Sequence, residues 1–255
     1  FCLSRGLGDV YKRQTYDTLA ALLVGNDKSF PRENKFFPTE PYPRITLTSE
    51  NQPVFRRPFS SENELIASLA ELEDRGLLGW DRRANRYDLH PIVRGVTWDA
   101  LGNQDKQNIY KMLNVHFESM PLNDDWLEIN RLEELTSAIE LYNTLIGLER
   151  YDDAVYLYRN RLTNALLYRL GSYRQITELL VLLFPDGLDH LPHLSDPEDQ
   201  AYILNELGLG LEAGQPGQAV SLFRRAQDID KQIGNQKEIY IHLNNLSSNL
   251  STSGA

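Results

Sequence analysis

Residues 75–95, RGLLGWDRRANRYDLHPIVRG, separate two textures of sequence. Before them the chain is broken by prolines, and after them almost every segment carries a helical period. Inside the stretch, Leu77-Leu78-Gly79-Trp80 and Arg86-Tyr87-Asp88-Leu89 are short strand-like runs. Asp81-Arg82-Arg83-Ala84-Asn85 lies between them, polar enough for a hairpin tip. Pro91 then marks a helix start, because the first helical position needs no N–H and wants the dihedral that the ring imposes. The order is a helix end, a two-stranded ribbon and a new helix.

Working backwards, Ser61-Glu62-Asn63-Glu64 places a serine and an acid three apart, the pairing that satisfies first-turn N–H groups. Leu65, Ile66, Leu69, Leu72 and Leu77 supply the apolar stripe of that helix, while Glu62, Glu64, Glu71, Glu73 and Asp74 face out. Thr15–Val24 carries another buried stripe, closed by Gly25-Asn26-Asp27. Between them Pro31, Pro38, Pro41, Pro43, Pro53 and Pro58 forbid a long regular element, so 30–58 is expected to be an insertion, with Ile45–Thr48 one short strand. Two helices followed by a hairpin are the layout of a winged helix. A DNA-reading winged helix pushes its second helix among phosphates, where Arg and Lys must neutralise them. Here that helix carries five acids against Arg75 alone, which disfavours DNA binding through this face.

Working forwards, 92–101, 105–120, 132–148, 152–170 and 173–184 read as helices joined by short links such as Glu149-Arg150-Tyr151 and Gly171-Ser172. Farther on, Leu207-Gly208, Leu211, Gly214, Ala219, Phe223 and Ala226 follow the order of a tetratricopeptide repeat (TPR). There a large and a small residue in one helix interlock with Ala-x3-Phe-x2-Ala in the next. Leu243-Asn244-Asn245-Leu246 repeats Leu204-Asn205-Glu206-Leu207 at an offset of 39 residues. The fold class expected is mainly α, with four divisions. Residues 1–14 form a non-native leader resembling sequencing-adapter read-through. A winged-helix domain spans 15–102, a degenerate TPR-like array 103–195, and truncated TPR repeats 196–255. The C-terminal LNNLSSNLSTSGA stops where a second hairpin helix should begin, so the chain reads as a fragment of a larger protein.

Composition sets the outer bounds. The 255 residues, 41% of them hydrophobic, can build real cores. A net charge of −10 opposes non-specific attraction to nucleic acid or anionic lipid. Cys2 is the single cysteine, which fits a reducing, cytoplasmic setting. No apolar run approaches the roughly 18 residues of a membrane span. No G-x-x-x-x-G-K-[ST], G-x-S-x-G or H-E-x-x-H occurs, so the chain is expected not to be an enzyme by itself.

Together these segments resemble the region downstream of the ATPase core in STAND-type, NB-ARC-like signalling NTPases, where a winged helix and a repeat array follow a P-loop domain. The resemblance covers about 60–101 and 201–250, with 131–184 weaker. Its specific motif is Tyr87-Asp88-Leu89-His90-Pro91-Ile92-Val93-Arg94, similar to the family's Leu/Met-His-x-hydrophobic segment, although Pro91 stands where an aspartate is common. By resemblance His90 would touch the phosphate of ADP in the full-length protein, with ADP or ATP as its cofactor and none held by the fragment. The competing reading is that His90 caps its helix or bonds a carbonyl.

The partners this implies are the intramolecular ATPase core and a protein or peptide on the concave face of the array. Asn205, Asn244, Asn245 and Asn249 are candidates there, since an amide can donate to and accept from a peptide backbone at once. Asp186, Asp189, His190, His193 and Asp196 are the one dense cluster of metal-capable side chains. Three prolines and interleaved leucines favour a linking loop, with no metal bound. Tyr151, Tyr156, Tyr158, Tyr168 and Tyr173 read as inter-helix packing or as an aromatic surface. The alternative for the whole chain is a DNA-binding regulator joining a winged helix to a TPR array, with Arg82, Arg83 and Arg86 on phosphates.

Overall fold

The computed structural model describes residues 14–24, 59–83, 86–120, 125–241, 245 and 247. The 30–58 insertion with its expected strand at 45–48, residues 1–13 of the leader, and Asn244 and Asn249 lie outside the described residues. The described chain is mainly helical with one small antiparallel sheet. It divides into two compact units, Phe1–Leu122 with Asn143–Leu148, and Asn123–Tyr142 with Glu149–Ala255.

In the first unit the elements are β1 (Gln14–Thr15), α1 (Tyr16–Leu23), α2 (Glu62–Asp74), β2 (Leu78–Asp81), β3 (Arg86–Leu89), α3 (Pro91–Ala100) and α4 (Asn103–Ser119). The helix α5 (Thr136–Gly147) adds its last turns to this unit. Ser61 caps α2 by accepting from the Glu64 N–H. The Glu64 carboxylate reaches one residue farther back than a reciprocal pair would, accepting from the Ser60 hydroxyl at 2.7 Å and the Ser60 N–H at 2.8 Å. The helix ends at Gly76, whose φ of 68° belongs to the left-handed region. There the Gly76 N–H donates to the Glu73 carbonyl and the Leu77 N–H to the Leu72 carbonyl. A glycine makes that reversal without a Cβ clash, and it launches β2 directly from the helix.

The strand order is β1-β3-β2, all antiparallel, with Leu78 opposite Leu89 and Trp80 opposite Tyr87. The alternation of side chains along a strand puts Leu78, Tyr87 and Leu89 against the helices. They join Ala20, Leu65 and Leu69 in one core, ringed by Tyr16, Leu19, Phe59 and Leu72. Gly102, directly after the Leu101 C-cap of α3, is the N-cap of α4. Gly147 has no room for a side chain, because the Tyr110 ring of α4 occupies the place a Cβ would take.

In the second unit α6 (Tyr151–Leu157) continues without a break into two wider π-helical turns, Tyr158–Leu162 and Ala165–Arg169. Next come α7 (Tyr173–Leu180), α8 (Pro197–Leu211) and α9 (Pro216–Ile233). Asp196 caps α8 and Pro197 takes its first turn; α9 ends at Gly234, φ 76°. Helix α8 packs against both α7 and α9. Two glycines allow this: a Cβ on Gly208 would stand 2.5 Å from a ring carbon of Phe223 on α9, and one on Gly210 would stand 2.6 Å from the Thr177 hydroxyl on α7. Leu207, Ala219, Phe223 and Ala226 are fully buried around the first contact. The large-against-small pairing read from the sequence is therefore present between these two helices.

Candidate functional site

His90 sits where β3 ends and α3 begins. Its backbone N–H donates to the Leu77 carbonyl at 2.9 Å, which ties the helix start to the head of β2. Its Nδ1 accepts from the Ile92 N–H at 3.3 Å, so the ring caps α3 as a serine or aspartate would. An accepting Nδ1 carries no proton, and the neutral ring then holds its proton on Nε2. The exposed imidazole thus presents an N–H donor at the start of α3, where Pro91 has no N–H and the Ile92 and Arg94 N–H groups are already held by His90. Capping and phosphate contact, posed as alternatives by the sequence, use different nitrogens and are compatible.

Around it, Arg94 lies 3.7 Å from Asp88, with the arginine mostly covered. Trp80 and Tyr87 stack across the ribbon at 5.7 Å, and Arg82 lies over the Trp80 ring at 5.3 Å. The Arg82 charge is thereby placed on an aromatic face of the ribbon itself. On α3, Ile92 and Val96 are one turn apart and both exposed.

The asparagines on the expected concave face have a different arrangement. Asn205 is buried, and its Oδ1 accepts from Nδ2 of Asn245 at 2.8 Å. These two amides join α8 to helical residues beyond α9. The acid and histidine cluster between α7 and α8 is occupied by its own contacts. His193 Nε2 meets Asp186 Oδ2 at 2.6 Å, Asp196 is the α8 cap, and Arg225 of α9 donates to the Leu188 and His190 carbonyls. Among the described residues no group of three or more His, Cys, Asp or Glu is placed to hold a metal ion. Of the tyrosines, Tyr158 is fully buried, whereas Tyr168 and Tyr173 are exposed.

One constellation escaped the sequence reading. Asp199, Tyr202 and Glu206 fall at i, i+3 and i+7 along α8 and meet the first π-turn in three rungs. Arg159 pairs with Asp199 and lies over the Tyr202 ring at 4.5 Å. The hydroxyls of Thr163 and Tyr202 are 2.9 Å apart, and the Tyr158 hydroxyl donates to Glu206 at 3.4 Å. Thr163 also donates to the Tyr158 carbonyl at 3.1 Å, occupying an acceptor inside the widened turn. Burial raises the Glu206 carboxyl to about 7, against which the Tyr158 bond and the Arg159 charge act. Burial first, and then the Glu206 charge, pushes the Tyr158 hydroxyl well above its usual range. The signal was present as a polar 3-4 stripe within an apolar helix, but such a stripe reads equally as a solvent face until a partner is known.

Compared with family models, curated proteins and solved structures, the chain matches none. Among the described residues no helix is long and apolar enough to cross a membrane.

Proposed function

We propose that this chain is the regulatory and protein-binding region of a STAND-type signalling NTPase. In this reading residues 15–102 form a winged helix that packs on a nucleotide-binding core encoded outside the chain. The helical hairpins that follow form a TPR-like array taking a protein or peptide partner, in a cytoplasmic setting. The chain is not itself an enzyme; ADP or ATP belongs to the core, and His90 is its sensor.

The observation that carries the reading is the seat of His90 at the N-cap of α3, directly after the hairpin, with Nδ1 engaged and an exposed Nε2–H available to an acceptor. A phosphate there would gain the ring donor at a helix start. The interlock of Gly208 with Phe223 supports the repeat reading of the second unit. Partner binding on the array would then act by differential affinity, weakening the nucleotide-held closed state.

In the full-length protein, His90→Ala should lower ADP retention after purification by roughly tenfold or more, the worth of one charge-assisted hydrogen bond. Undiminished ADP, measured by chromatography of the denatured protein, would overturn the sensor role. The pure chain should bind its partner and turn over no ATP, and measurable hydrolysis would refute the assignment.

The DNA-binding alternative rests on Arg82 and Arg83 at the exposed ribbon tip. It is weakened by α2, whose one basic neighbour, Arg75, is already paired with Glu71 at 2.5 Å.

A further inference from the structure

We propose that the three-rung polar seam between the first π-turn and α8 is a proton-operated latch that holds residues 158–163 closed in mild acid and loosens them as pH rises to neutrality. The inference is independent of the STAND reading.

The geometry is that of a fastening. Three consecutive contacts, Arg159 with Asp199, Thr163 with Tyr202 and Tyr158 with Glu206, join one face of α8 to a segment that has left α-helical geometry twice within twelve residues. A π-turn is a sparsely used backbone state that persists where surrounding contacts hold it. Here the holding contacts are these rungs, and one of them depends on a carboxyl that is 5% exposed. The neutral acid suits that place. Ionising it strands a charge beside one tyrosine hydroxyl and an arginine already engaged by Asp199.

The charged and titratable groups facing the seam can be named for each packed element. From the π-turns they are Tyr158 and Arg159, and from α8 itself Asp199, Tyr202 and Glu198, the last acting on Arg159. Tyr142 and Tyr168 bear on Tyr158 and Tyr202. On α7, Arg174 and Glu178 pair with each other at an exposed edge, 2.8 Å apart. On α9, Asp230 is raised to about 6 by burial, then by Glu238 and Glu198, so it titrates in an overlapping range and needs its own control. The second π-turn is anchored separately by Arg169, which donates to the Ile129 carbonyl and to Asn130. That places the yielding end at Tyr158–Thr163.

The sign follows from linkage. The folded Glu206 carboxyl titrates about 7 against a free value of 4.5, so the closed state binds the extra proton. Stability from this group is complete below the free value, falls as pH rises from there, and is gone once pH has passed about 7.

Hydrogen exchange of the whole chain between pH 5.5 and 8.5, corrected for intrinsic rates, tests it. The opening constant of peptides covering 158–170 should rise at least tenfold across that range. The rise should vanish in Glu206→Gln and survive in Asp230→Asn. A flat profile in the native chain, or an undiminished rise in Glu206→Gln, overturns the latch. If Glu206→Gln does not fold, Tyr158→Phe serves. It removes a bond to the charged carboxylate and should move the midpoint upward, and an unmoved midpoint overturns the proposal.

Discussion

Gly208→Ala and Gly217→Ala are the same chemical change nine residues apart in one helical hairpin, and the structure assigns them opposite signs. At Gly208 the new methyl would meet Phe223 Cε1 at 2.5 Å, Cδ1 at 2.8 Å and Cζ at 2.9 Å. Ordinary carbon contacts begin near 3.5 Å, so the ring must withdraw by about 1 Å. Phe223 is fully buried between Leu222 and Ala226 on α9, with Leu204 and Leu207 also fully covered on α8, so withdrawal disturbs a packed core. Displacing a fully buried ring belongs to the upper part of the overpacking range, roughly 2–3 kcal/mol, against an intrinsic helix gain of about 1 kcal/mol for alanine over glycine. A net loss of about 1–2 kcal/mol is expected. At Gly217, in the first turn of α9, nothing lies within 4 Å of the new methyl and φ is not left-handed, so a gain of about 0.5 kcal/mol is expected. Urea unfolding followed by circular dichroism should place the two midpoints on opposite sides of the native chain, with Gly208→Ala lower by roughly 0.5–1 M. Exchange protection of α8 and α9 peptides assigns the shift to this hairpin. Adding Phe223→Leu to Gly208→Ala should return about 1 kcal/mol in a double-mutant cycle. A neutral Gly208→Ala, or strict additivity with Phe223→Leu, would refute the interlock.

Acidification should act on the first unit through His116, which is buried on α4 and whose ring burial pulls below its usual range. Its folded value lies under the free value of 6.5, so its contribution is present above that pH and lost as pH falls through the folded value. Exchange protection of 103–119 should therefore fall below pH 6.5, the opposite direction to the seam, and His116→Gln should flatten it. Glu149 is the one non-glycine with positive φ among the described residues, at 59°. Glu149→Gly relieves a left-handed cost of about 1–2 kcal/mol but adds unfolded-state entropy, so thermal unfolding should show a net gain of about 0.5–1 kcal/mol. A loss would mean that the Glu149 side chain holds something its backbone angle does not reveal.

Local signals were legible in the chain wherever they depended on neighbours in sequence. The serine and acid before α2, the glycine ending it, Pro91 opening α3 and the short strand runs at 78 and 86 all stand where the pattern put them. Each is decided by a handful of backbone groups that must find partners within a turn or two. The Leu-Gly and Ala-x3-Phe patterns carried farther, because interlocking helices impose a size rule on specific positions of both partners. His90 was legible as a residue of interest, but its two roles looked exclusive. The distance to the Ile92 N–H shows that Nδ1 caps α3, which leaves Nε2 outside the cap.

What the tertiary structure alone decided lies between elements distant in sequence. Asn205 stood out as an amide in an apolar helix, and its partner, Asn245, lies 40 positions later in the chain. Asp199, Tyr202 and Glu206 drew no notice in the sequence and form a buried seam with residues 158–163, some 40 positions earlier in the chain. Helix α6 read as one unbroken α-helix, and its first π-turn meets α8 while its second is held by Arg169 on Ile129 and Asn130. The physical reason is the same in each case. A helical period says which residues share a face, while burial, protonation and hydrogen-bond partner depend on what that face meets, and that is set by packing across the fold.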